Sequence, residues 1–197
     1  MSEFGFGKSV RRVEDDRLLV GQGLFHDDLQ IDGQTSAVIV RSPHAHAALR
    51  GIDVAAAKAA PGVIGVFTGA DAEAAGIGHM PCPTMAILQL QQGDGTPAYV
   101  PPRPVLATAA VKHVGDPVVM VVAETIQQAR EAAELVDIDY DMLPSLTDTA
   151  LAAQDGATQI WADAPRNTCF EWSMGDAAAT EAAFAKADRV TTVELLN

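Results

Sequence analysis

An α+β fold, with mixed sheets and packed helices, is predicted by three features of this 197-residue sequence. Short β-branched or apolar runs, SAVIVRS at 36–42, VIGVF at 63–67 and VVMVVA at 118–123, read as strands. Alanine-rich segments follow residues able to cap a helix, namely Asp53, Asp71, Thr125 and Asp176. Prolines fall between these runs, and Pro43 and Pro61–Gly62 punctuate separate short elements.

Each element has its own local reason. After an N-terminal arm (1–11), the segment VRRVEDDRLLVGQGLFHDDL combines paired charges with a Gly21–Gly23 bend and predicts an extended stretch laid over a surface. The run SAVIVRS ends at Ser42–Pro43, because proline biases its predecessor away from helix. Asp53 can cap a short helix through VAAAKAA, stopped by Pro61–Gly62, and Asp71 another through AEAAG. Residues 77–103 carry five prolines and no apolar period, which predicts a long loop of the kind that usually contacts something else.

The run VVMVVA is continuous rather than alternating, as in a strand buried on both faces. Thr125 and Gln128 form a T-x-x-Q capping box for an amphipathic helix, IQQAREAAELV at 126–136. DIDYD at 137–141 then alternates acid and apolar, a strand with one wet face, so 118–141 reads as a βαβ-like crossover. A connector follows, with a change of unit around 145–160. Asp176 can cap AAATEAAFAKA (177–187), and RVTTVELL (189–196) reads as a strand running straight into the C-terminus. An uncovered strand edge is a liability, so the chain is expected to be cut short there.

Composition excludes several classes. A net charge of −13 with two tryptophans and two tyrosines lacks both the cations and the stacking platforms of a nucleic-acid binder. Two cysteines cannot build a disulfide framework, no apolar run approaches the ~20 residues of a membrane span, and MSEFGFGKSV lacks a signal-peptide core. A soluble cytoplasmic protein is expected.

The candidate sites are thin. His44 and His46 in RSPHAHAAL share a face of an extended segment, and Asp53 could join them, yet a metal usually needs three or four protein ligands at recognisable spacing. HMPC at 79–82 is half of a zinc motif, and Cys82 as nucleophile would need His79 or His113 beside it. GFGKS at 5–9 has Ser2 where a phosphate loop requires glycine, and GQG (21–23) and GDG (93–95) lack a strand-turn-helix setting. The carboxylates at Asp15–Asp16, Asp27–Asp28 and Asp137, Asp139 and Asp141 read as solvated faces rather than acid–base pairs. No catalytic, cofactor-binding or metal-ligating residue is assigned from these patterns.

Taken in order, SVRRVEDDRLLVGQGLFHDD, VRSPHAHAALRGID, PGVIGVFTGAD, RPVLATAAVKHVGDPVVMVVAET and AAELVDIDYDMLPSL resemble the start of a known large subunit. It is the molybdenum-binding subunit of the xanthine dehydrogenase, aldehyde oxidase and carbon monoxide dehydrogenase family. IWADAPRNTCFEWSMGDAAATEAAFAKADRVTTVELLN continues the likeness, which runs from Lys8 to Asn197. The resemblance implies an α/β hammerhead domain over 12–150, then a connector and the opening helix and strand of the molybdopterin-binding domain over 151–197. It also implies a complete oxidoreductase with a molybdopterin-type molybdenum cofactor, 2Fe–2S clusters and FAD. Its partners would be the remaining large-subunit chain and the iron–sulfur and FAD subunits. The family's cofactor loops and catalytic glutamate lie beyond the position of Asn197, so the isolated chain is expected to be inactive and cofactor-free. A free-standing binding or assembly module on the same fold, and a small metal protein using His44 and His46, are the rival expectations.

Overall fold

The unbroken apolar run at 118–123 forms the middle of a sheet, as a strand with two apolar faces must. The computed structural model describes residues 11–195. Strand β5 (Pro117–Ala123) lies between β1 (Ser36–Arg41) and β3 (Val63–Thr68), antiparallel to both. Val121 stands opposite Val38 on one side and Val66 on the other. A second sheet places β2 (Ala47–Asp53) between β4 (Ala110–Val111) and β6 (Asp137–Met142), again antiparallel.

Helix α5 (Ile126–Ala133) covers the first sheet, packing on β1 and β5 through the buried Ala129 and Ala132. Its cap is the reciprocal pair foreseen from T-x-x-Q: Thr125 Oγ1 accepts from Gln128 N, and Gln128 Oε1 accepts from Thr125 N. Short α2 (Ala55–Lys58) fills the angle between α5 and β3, with Ala57 fully buried. The N-cap position of α2 is Val54 rather than the expected Asp53, but Asp53 Oδ1, one residue earlier, accepts from Ala55 N at 2.9 Å and so still supports the helix start. The core is made of Ala47, Ala57, Val66, Ala107, Val111, Val118, Val119, Val121 and Ala132 and joins both sheets. On the other face of β1-β5-β3, two cross-strand rows, Ala37–Val122–Gly65 and Ile39–Met120–Phe67, hold no polar residue.

Several expectations are corrected. Residues 118–141 are no βαβ crossover, because β5 and β6 belong to different sheets. A strand at 47–53 was not foreseen, since AALRGID lacks a β-branched run. The segment VRRVEDDRLLVGQGLFHDDL is not simply extended: it contains α1 (Asp15–Leu19) and a 3₁₀ turn at His26–Asp28. The 77–103 loop contains α4 (Pro83–Leu88) and a bridge between Gln91 and Pro97. Helix α3 (Gly69–Ala74) starts earlier than foreseen: Thr68 is its cap, and Asp71 is the third residue of the capping box. Finally, α6 (Ala177–Ala185) is capped by Asp176, but 189–195 pair with no described residue and form no strand; Leu196 lies outside the described residues. A strand needs a neighbour's ladder of hydrogen bonds, and β-branched sequence alone does not supply one.

Candidate functional site

His44 and His46 shape a corner of the fold. Pro43 ends β1, and Ser42 Oγ accepts from His44 N while donating to His44 O, both at 3.0 Å, which shapes the corner into β2. The His44 ring meets Tyr140 edge-on, centroids 4.8 Å apart and planes at 70°. His46 Nδ1 lies 2.7 Å from the Pro144 carbonyl. With one imidazole against an aromatic and the other bonded to backbone, they do not converge on a common point. Among the described residues no group of three or more His, Cys, Asp or Glu could hold a metal ion.

The other candidates resolve similarly. Asp141 pairs with Arg50 across β6 and β2, while Asp137 and Asp139 lie along the same exposed edge. His113 Nδ1 stands 3.7 Å from Asp116, whose carboxylate also accepts from Lys112 N. GFGKS at 5–9 lies outside the described residues. Gly21 and Gly95 sit at turns with positive φ.

A concavity lies where the 89–100 segment faces residues 163–171. A hollow of about 670 Å³ is lined by Gln92, Asp94, Tyr99, Asp163, Arg166 and Glu171, among others, and a neighbouring one of about 380 Å³ by Cys82, Gln91 and Val100. Its walls are laced together: the Cys169 carbonyl accepts from Tyr99 N at 2.7 Å and from Gln92 Nε2 at 2.6 Å. Arg166 reaches Glu171 at 3.7 Å. Two hydrogen bonds from Thr96 hold the Asp94 carboxyl below its ordinary pKa. Burial pushes the Cys169 thiol up, away from nucleophilic thiolate, and desolvation together with the Asp163 charge raises Tyr99.

Sequence reading missed the residues that organise this region. Asn167 and Arg166 both adopt positive φ. The Asn167 side chain donates to the Ala152 and Thr158 carbonyls and accepts from Ile160 N. Lys112 Nζ donates to the Ile160 carbonyl and lies 4.3 Å from the centre of the Trp161 ring. The only available signal was the asparagine after Pro165–Arg166, a residue type that tolerates the left-handed region.

Residues 20–144, more than half of the chain, match the family described as "Aldehyde oxidase and xanthine dehydrogenase, a/b hammerhead domain". The chain belongs to this hammerhead family. It is 36% identical to the carbon monoxide dehydrogenase large chain of Afipia carboxidovorans, over 95% of this chain and 23% of that one. It is 41% identical to the nicotine 6-hydroxylase large subunit of Paenarthrobacter nicotinovorans, over 76% of this chain and 17% of that one. A crystal structure of Cu,Mo-CO dehydrogenase in its carbon monoxide reduced state superposes with a TM-score of 0.75 at 34% identity, covering 93% of this chain and 23% of the other. The hammerhead chain therefore spans about a fifth of the length of the relatives it matches, which are themselves large chains or subunits, and molybdenum proteins are among them.

The hollow does not suit a phosphate-bearing molybdopterin. It gathers the carboxylates of Asp94, Asp163 and Glu171 around one guanidinium, and that guanidinium already faces Glu171. No reaction step is assigned to the hammerhead residues. No helix among the described residues is long and apolar enough to cross a membrane.

Proposed function

We propose that this chain is the supporting N-terminal portion of a molybdenum hydroxylase large subunit, contributing framework rather than chemistry. The carrying observation is that its two-sheet frame matches the carbon monoxide dehydrogenase structure over 93% of its own length. In this reading residues 1–11 are an arm, 12–150 the hammerhead domain, and 151–197 a connector followed by the start of the molybdopterin-binding domain.

The complete complex then carries a molybdopterin-type cofactor, 2Fe–2S clusters and FAD on the rest of the large subunit and on sister subunits. It oxidises an aldehyde, an N-heterocycle or carbon monoxide in the cytoplasm. The long exposed stretch with Trp172, Met174, Phe184, Val193 and Leu195 supports the reading, because so many large apolar side chains need cover that the described residues do not provide. Affinity isolation of the chain from its source cells should bring down molybdenum together with flavin and iron–sulfur absorbance. A chain recovered alone and metal-free overturns the proposal.

A further inference from the structure

Residues 150–171 contain no helix longer than a 3₁₀ turn and no strand, yet they are tied down at every few residues. Ala164 is fully buried. Asn167 gathers the backbone of Ala152, Thr158 and Ile160 around its one amide. The Cys169 carbonyl is held by Tyr99 and Gln92. At the centre, Lys112 follows directly from β4, whose Val111 is fully buried, and its Nζ makes a 2.6 Å hydrogen bond to the Ile160 carbonyl beside the Trp161 ring. Beyond this, all residues from Glu171 to Leu195 are exposed, and Gly175 has φ +107°.

We infer that Lys112 is a positioning residue that fastens the 151–170 connector to the hammerhead and thereby fixes where the onward chain leaves the body, with the pivot at 172–175. A charged donor on a backbone carbonyl combined with a cation over an indole is directional, so it sets one placement where apolar contact would allow several. The Asn167 amide keeps the connector's own loop closed, and Lys112 attaches that loop to the sheet. The effect on the rest of the protein is geometric: together with the bonds of Tyr99 and Gln92 to the Cys169 carbonyl, Lys112 presents Trp172 and α6 from one fixed point.

Hydrogen exchange on the full chain tests this. In the wild type, amides at 160–169 should exchange far more slowly than those at 176–195. Lys112→Met should speed exchange at 160–169 by about tenfold, the loss expected for one charge-assisted hydrogen bond, while α5 and β5 keep their protection. Lys112→Arg should restore most of it. Unchanged protection at 160–169 in Lys112→Met, or an equal loss throughout the chain, overturns the inference. A second measurement needs no variant: limited proteolysis of the wild type should cut first within 171–195, and a first cut within 151–168 is equally fatal to it.

Discussion

Gln128 closes the capping box of α5 and at the same time lies over Gly62, so that a Cβ at position 62 would collide with its amide. Gly62 also has φ +73°, a conformation that side chains resist. The turn before β3 and the start of α5 are thus one structural unit. Thr125→Ala should lower stability by about 1 kcal/mol, with Thr125→Ser losing less. Gly62→Ala should cost more than Thr125→Ala, because strain and the displaced Gln128 add. Denaturant midpoints of the three variants check the order.

Val121 is fully buried between Val38 and Val66 at the centre of the first sheet. Truncation to alanine leaves a cavity that neighbouring strands cannot close, and should cost on the order of 2 kcal/mol. Val193→Ala, at an exposed site, should leave the urea midpoint of the isolated chain unchanged.

Tyr140 carries a buried hydroxyl without a hydrogen-bond partner among the described residues, and burial raises its pKa. A phenol with a folded pKa above its unfolded value contributes stability that is whole below the unfolded pKa and lost as pH rises through the folded one. The chain should therefore weaken above about pH 10. Tyr140→Phe should flatten that alkaline limb and cost little at neutral pH, since it removes an unsatisfied polar atom. Thermal melts from pH 8 to 11 compare the two.

The paired histidines should not bind metal. Incubation with zinc followed by desalting should leave no stoichiometric ion, and His44→Ala with His46→Ala should not change that result. His46→Ala should instead loosen the chain around Pro144, read as faster backbone exchange at Leu143, whose N–H donates to the His46 carbonyl.

What the sequence revealed follows from how local each signal is. The run at 118–123 and the T-x-x-Q cap of α5 need only their own residues, so both were legible. Strand β2 was hidden because Ala47, Ala48 and Gly51 have no strand preference, and they are extended only because β4 and β6 flank them. The opposite error occurred at 189–195, where β-branched residues found no partner. The crossover at 118–141 failed for a third reason: alternation in DIDYD fixes a wet face but does not say which sheet receives it. Lys112 and Trp161 stand far apart in sequence, and neither residue type nor spacing announces their contact.

The apolar rows Ile39–Met120–Phe67 and Ala37–Val122–Gly65 have a practical consequence at the bench. Ala37 and Phe67 are exposed and Ile39, Met120 and Val122 half-buried, so a fluorescent dye such as ANS, which brightens on accessible apolar surface, should light up on the fully native chain. Brightness alone will then not diagnose a molten state, and purity of folding must be judged from near-ultraviolet circular dichroism.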